Sequence, residues 1–309
     1  MGTVLRTLAG DIAPDGVVGI LPHEHITVDL APLSAGGNRR PRRSDVWDDL
    51  RGKLRALADA GVDTLVECTP PYLGRDVALM RDLGAAAGIR VLTPTGLYRE
   101  DWQPVDLHGA DPDSLADWMA RDLSEAFSDE TGQHARAGFI KLGCSNEVVR
   151  PAERNAIRAG ARASRRTGAT IVCHSPVGSR ALEVLQMVVA EGAAPERLIV
   201  AHADSEPDLA LIVEVARRGA WVEFDHIGAR PDADEVHRIR HLAAAGLLDR
   251  VLLSQDVCGH IAGRGGDGRA YTYLHTGFAA VLRTSGFTDH DVRQILRDNP
   301  VRAFQMPAG

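Results

Sequence analysis

Cysteine is scarce in this 309-residue chain. Cys68, Cys144, Cys173 and Cys258 stand far apart and form no CxxC pair, which argues against a disulfide scaffold and a structural zinc knuckle. Each reads as a reduced, buried small residue. No stretch reaches the roughly 18 consecutive apolar residues of a membrane span, and Met1 to Ile12 shows no basic segment leading into an apolar one. The expectation is a cytoplasmic protein with no membrane partner. A sustained basic stripe is also missing: the formal net charge is -7 and the one arginine cluster, Arg39, Arg40, Arg42 and Arg43, is short. That reads as a solvated loop and excludes a nucleic-acid partner. No GxGxxG follows the first apolar run, so neither a dinucleotide cofactor nor a doubly wound sheet is supported.

What remains is an ordinary globular mixture, 44% apolar and 25% charged, in a length that α/β barrels fill as one unit. Short apolar or β-branched runs bounded by turn residues predict eight strands: Val17–Val28, Val62–Cys68, Ile89–Thr95, Gly138–Leu142, Thr170–Cys173, Leu198–Ala201, Trp221–Phe224 and Val251–Leu253. The segments after them space apolar residues by three and four, which predicts helices over Asp45–Ala60, Gly74–Ala87, Ser114–Ser128, Pro151–Thr167, Ser179–Glu191, Pro207–Arg218, Asp232–Ala245 and Asp289–Arg297, with Ser44, Asp113 and Asp289 as N-caps. Strand then helix, eight times, with near-continuous apolar strands, predicts a single (β/α)8 TIM barrel over residues 1–309. Ser34–Ser44, Arg99–Asp113 and Gly259–Gly268 are expected as loops on its catalytic face.

The strongest local signal is Leu21-Pro22-His23-Glu24-His25 at the end of the first strand. Alternate strand residues share a face, so His23 and His25 point one way and Glu24 the other. Two imidazoles at a barrel mouth can hold a divalent metal, although two uninvolved histidines would look the same. Lys141, His174, His202 and Asp256 end later strands, and barrel geometry gathers strand C-termini on one rim. Lys141 admits two readings: a salt-bridged or snorkelling lysine, or an amine that reacts with carbon dioxide to give an anionic carbamate. Glu67, ending the second strand, reads as a structural hydrogen-bond acceptor.

Pro22-His23-Glu24-His25, Ile140-Lys141, Cys173-His174, Ala201-His202-Ala203-Asp204, Phe224-Asp225-His226-Ile227 and Ser254-Gln255-Asp256 follow one another in this order. The ordered set resembles the phosphotriesterase family of the amidohydrolase superfamily, with its phosphotriesterase-like lactonases. Thr7-Leu8-Ala9-Gly10-Asp11-Ile12 and Asn299-Pro300-Val301-Arg302 extend the resemblance over nearly the whole chain. The resemblance implies a binuclear site. His23, His25 and Asp256 would hold the more buried metal and His174 and His202 the more exposed one, with an N6-carboxylated Lys141 bridging them. A hydroxide between the metals would be the nucleophile and Asp256 its proton acceptor. His226 would pass the proton to solvent, with the carboxylate that pairs with it expected at Ser205 and Asp204 one residue away. Tyr98 would line the pocket, unless it is simply an aromatic covering the rim. Zinc is the default metal, with Mn2+, Co2+ or Fe2+ compatible with the same donors. The resemblance also implies a homodimer.

The substrate reading is a small-molecule lactone or related carboxylic ester, with phosphotriesters as the alternative, a non-catalytic metal-binding barrel as a third reading and amide chemistry on the same scaffold disfavoured. The final loop, Val257 to Arg269, is glycine-rich and polar. Its Arg264 and Arg269 read either as a clamp for a substrate carboxylate or phosphate or as solvated loop arginines.

Overall fold

The computed structural model describes residues 2–175 and 178–308. Eight parallel positions surround one axis: β1 (Ile20–Val28), β2 (Thr64–Glu67), β3 in two pieces (Arg90–Leu92 and Pro94–Thr95), β4 (Phe139–Gly143), β5 (Ile171–His174), β6 (Leu198–Ala201), β7 (Trp221–Phe224) and β8 (Val251–Leu253). They form two hydrogen-bonded arcs, one of β1, β2 and the first piece of β3, the other running from the second piece of β3 to β8. The broken β3 joins the arcs on one side, its first piece pairing with β2 and its second with β4. On the other side the segment after β8 closes on β1: the Asp256 amide donates to the His23 carbonyl (3.2 Å) and the His25 amide to the Val257 carbonyl (3.0 Å). The result is the (β/α)8 barrel expected from the strand and helix alternation.

Helices α1 (Arg43–Asp59), α2 (Val77–Ala87), α3 (Pro112–Ser124), α4 (Pro151–Thr167), α5 (Gly178–Ala190), α6 (Leu209–Arg217) and α7 (Asp232–Ala244) sheathe the strands. The last helical layer is broken, with π-helical turns at Leu274–Phe278 and Gln294–Asp298 between short helices. The caps fall earlier than expected. Pro112 occupies the first helical position of α3, so the cap is Asp111, whose carboxylate accepts from the amides of Asp113 and Ser114. Thr288 rather than Asp289 caps Asp289–Arg293, and Arg42 rather than Ser44 precedes α1 with no side-chain cap. The helix expected to run to Ser128 stops at Ser124, because Phe127–Ser128 pairs antiparallel with His134–Ala135.

Strand alternation divides the core in two. Ile140, Leu142, Ile171, Cys173, Leu198, Val200, Val222 and Phe224 face outward and pack with the helices. Phe139, Val172, Ile199, Trp221 and Leu252 face inward. The inner cluster is closed below by the C-terminal helix, where Phe304 meets Phe139 edge-on with ring centroids 5.4 Å apart, and by Leu5 of the N-terminal strand Thr3–Thr7. That strand pairs antiparallel with Gly10–Ile12 and with Met306–Pro307, a floor the strand count did not anticipate. Cys258–Ile261, expected as loop, is also a strand. The nine-residue β1 outruns the three-residue β8, and Cys258–Ile261 pairs in parallel with the overhanging edge at His25, Thr27 and Val28. The cysteines are free, with Cys258 only half-buried, and among the described residues no helix is long and apolar enough to cross a membrane.

Candidate metal centre

The same alternation that builds the apolar inner cluster carries ionisable side chains one step further up the strands. On β4 the inward step from Phe139 leads to Lys141, on β5 from Val172 to His174, and on β7 from Trp221 to Glu223 and then Asp225. β1 needs a correction of phase: Leu21 and Ile26 both pack outward although five residues separate them, and a register irregularity between Leu21 and Glu24 supplies the shift. His23 and His25 therefore face in, while Glu24 faces out and accepts hydrogen bonds from the amides of Gln255 and Val257 and from Ser254. Glu67 on β2 likewise accepts from the Ile26 amide and from Thr69.

Two further residues reach the interior through left-handed backbone, His202 at φ 61° and Asp256 at φ 48°. Such strain persists only where neighbours enforce it. His202 follows inward-facing Ala201, so plain alternation would aim it outward; Asp225 accepts its amide (3.0 Å) and its Nδ1–H (2.8 Å) and turns it in. At Asp256, Arg269 donates to the carbonyl (2.8 Å) and to that of Gln255 (2.6 Å). Gly96, at φ 111°, lets its strand lie against the Lys141 backbone; a Cβ there would stand 2.2 Å from the Lys141 carbonyl oxygen.

The hydrogen bonds fix the imidazole tautomers. His23 Nδ1 donates to Glu223 (2.9 Å) and Asp225 (3.0 Å), and His25 Nδ1 to Thr69 Oγ1 (2.7 Å), which itself donates to Glu67. Each ring then turns an unprotonated Nε2 inward, the usual state of a metal-ligating histidine whose other nitrogen is held by an acceptor. Asp256 Oδ1 stands 3.2 Å from His25 Nε2 and 3.8 Å from His23 Nε2 and, although buried, has no hydrogen-bond partner. Lone pairs converging without a proton between them call for a cation. The rings of His174 and His202 lie 4.4 Å apart and those of His23 and His202 5.2 Å apart, and Lys141 Nζ, almost fully buried, donates to His23 Nε2 at 2.9 Å. The donor set fits two divalent ions sharing one floor.

The electrostatics agree. Burial, with the Lys141 charge second, holds the His23 imidazolium pKa down at about 3, and burial first of all holds that of His174 far below its usual value, so both rings are neutral ligands. Burial works against an ionised Asp256, but the surrounding imidazoles of His25, His23 and His202 keep its carboxyl well below the usual range. His226 differs. Burial disfavours its cation, yet the hydrogen bond to Asp204 and the charges of Asp225 and Asp204 raise it to about 9.

That pairing corrects one expectation. The carboxylate facing His226 is Asp204, whose oxygens accept its Nδ1–H (2.8 Å) and its amide (2.9 Å); Ser205 instead accepts from Arg230 (2.9 Å). Tyr98 lines the cavity above the floor, its hydroxyl 3.2 Å from His174 Nδ1. The cavity encloses about 370 Å³ and brings together His23, His25, Lys141, His174, His202, His226 and Asp256. It does not include the two arginines expected as a substrate clamp. Arg269 is engaged by Asp256, Gln255 and Asp267, and Arg264 is exposed. Glu223 and Asp225 were given no role from sequence, and their signal was available: acids two residues apart on a strand whose inward face begins with Trp221.

Comparison with known proteins accords with this arrangement. The sequence profile of the Phosphotriesterase family matches residues 3–304. The phosphotriesterase homology protein of Escherichia coli strain K12 is 33% identical over 291 residues, covering 92% of this chain and 97% of its own length. A crystal structure of the E. coli phosphotriesterase homology protein, with phosphate in its active site, is 31% identical, superposes with a TM-score of 0.84 and covers 95% of this chain and 100% of that one. A substituted variant of a PTE-like lactonase from Deinococcus radiodurans superposes with a TM-score of 0.88 at 29% identity, covering 97% and 99% of the two chains.

Proposed function

Because the chain belongs to the phosphotriesterase family of metal-dependent hydrolases, we propose that it hydrolyses a lactone or a related carboxylic ester, with two divalent cations, zinc by default, held by His23, His25, Asp256, His174, His202 and an N6-carboxylated Lys141. The observation that carries this reading is the convergence of the His23 and His25 Nε2 atoms on the unpartnered Asp256 Oδ1. When bound, two such cations supply an acidified water and a polarised carbonyl oxygen.

The chain's own residues do the rest. Asp225 and Glu223 orient His23 and His202, so the ligands are in place before any ion arrives. Asp256, ionised and facing the histidines, is the proton acceptor. His226 lies within reach, since ligand atoms of His202, His226 and Asp256 all fall within 4.8 Å of one another, and with Asp204 holding its Nδ1–H the ring can relay a proton outward by releasing its own to solvent and being recharged from Asp256. Tyr98 closes the cavity beside His174 and keeps its hydroxyl near the reacting group. Lactone chemistry is preferred to phosphotriester cleavage because lactone carbonyls are common in metabolism and stable phosphotriesters are rare; the Deinococcus structures are named both as a lactonase and as an organophosphorus hydrolase and do not separate the two.

The test is a metal-reconstituted preparation assayed against γ-lactones, δ-lactones, sugar lactones and an aryl dialkyl phosphate. Lactone turnover that disappears with chelator and returns with Zn2+ supports the reading. Faster cleavage of the triester would favour the alternative, and a metal-loaded protein that turns over neither would leave a binding barrel.

A further inference from the structure

The loop arginines expected to seize an anion are occupied or solvent-facing, yet among the described residues the cavity contains one cation outside its floor that no carboxylate neutralises. Arg99 follows Tyr98 and lines the cavity. Its stem packs over Gly143, where a Cβ would lie 3.3 Å from Arg99 Cγ, and its guanidinium stands 5.3 Å from the centroid of the Trp102 ring. Among the described residues no carboxylate is paired with it, and its buried Nε has no hydrogen-bond partner. The acids nearest in sequence are engaged elsewhere. Asp101 pairs with Arg150 at 2.7 Å, and Glu100 accepts the Ala152 amide at 3.1 Å. Asp256, the one acid lining the cavity, faces the histidines.

A guanidinium drawn partly out of water without a counter-charge is costly, and a matching anion removes that cost. Its planar fork suits phosphate or carboxylate oxygens. Arg99 sits on the His174 side of the floor, next to Tyr98, while Val28, Leu30 and Leu73 give the cavity an apolar wall. We propose that Arg99 is a specificity residue that binds an anionic substituent, phosphate or carboxylate, carried by the substrate away from its scissile ester. The preferred substrates are then anionic lactones or esters rather than neutral ones. This rests on the hydrolase reading above and goes beyond it by naming the charge of the substrate and the residue that reads it.

The test compares the parent with Arg99→Gln and Arg99→Lys on three lactones of one ring size: neutral, phosphorylated on a side hydroxyl, and bearing a side carboxylate. In Arg99→Gln the ratio of kcat/KM for the preferred anionic lactone to that for the neutral one should fall about ten- to a hundredfold, as expected for a lost charge-assisted contact, mainly through KM, with Arg99→Lys intermediate. The two anionic lactones show which group is read. A ratio within about twofold of the parent, below the loss expected of any such contact, overturns the proposal. Calorimetric titration of the metal-loaded proteins with a phosphorylated and a carboxylated sugar alcohol, which contain no lactone or carboxylic ester bond, decides independently of lactone turnover. Weaker binding of either by Arg99→Gln supports the assignment and equal binding of both rejects it. If no lactone is turned over by any of the proteins, the lactonase reading fails while the titration still decides on Arg99.

Discussion

The lower and upper halves of the barrel interior are built on the same strands, by the same alternation, one step apart. Below, Phe139, Val172, Ile199, Trp221, Leu252 and Phe304 form a closed apolar plug. Above, Lys141, Glu223 and Asp225, as buried as the plug or nearly so, and the half-buried His174 and Asp256 fill the equivalent inward positions with ionisable groups. The lower layer gains stability from removing apolar surface from water. The upper layer bears the opposite cost, desolvating charges and holding His202 and Asp256 in left-handed backbone. The scaffold's stability thus resides where the chemistry is absent, which lets the ligand layer be arranged for a cation rather than for its own packing.

Substitutions in the two halves should separate these roles. The largest effect is expected of His23→Ala or His202→Ala: the protein should fold, bind less metal and lose turnover to background, which elemental analysis and assay on the same preparation would show. Full activity in either variant would contradict the layer's assignment. In the lower half, Phe304→Ala should cost about 3–5 kcal/mol of stability, read by denaturant unfolding, while the folded fraction keeps its metal. Asp225→Asn touches no substrate yet orients two histidines, so a loss of about 10- to 100-fold in metal affinity or activity is expected, measured by chelator competition.

The smallest effect sharpens the boundary between the halves. Glu235 on α7 is buried, neither oxygen has a hydrogen-bond partner among the described residues, Arg238 stands 3.7 Å away, and burial together with the nearby Asp204 raises its carboxyl to about 7. A carboxyl whose folded pKa is raised favours the folded state most below its unfolded value, and that advantage is lost as pH climbs through about 7. Glu235→Gln should therefore gain on the parent between pH 5 and pH 8, by on the order of 2 kcal/mol, in unfolding measured at the two pH values.

The barrel was legible because its two periodicities, two in strands and 3.6 in helices, are written in short apolar runs that tertiary context did not override. The floor strand Thr3–Thr7 and the edge strand Cys258–Ile261 were not: the first is a short hairpin strand with Gly10–Ile12 completed by the distant Met306–Pro307, and the second depends on the distant edge of β1. In the site, His23 and His25 stood out as a motif, and Lys141, His174, His202 and Asp256 by their places at strand ends. Asp204 as the partner of His226 was hidden because a short helical turn, Ala203–Ser205, decides which of two adjacent residues faces inward. The anion clamp was sought in the glycine-rich loop that carries Arg264 and Arg269, where Arg269 proved to brace the backbone of Asp256. A sequence gives the charge of a side chain but not whether its partner is a substrate or a carbonyl at the other end of its own loop.

The most direct test of the account is the metal content of the purified protein, by elemental analysis after reconstitution and removal of loosely held ions. About two divalent ions per chain are expected, as a binuclear hydrolytic site requires, falling clearly in His202→Ala. A parent protein that holds none after reconstitution, or whose content is unmoved by His202→Ala, would contradict it.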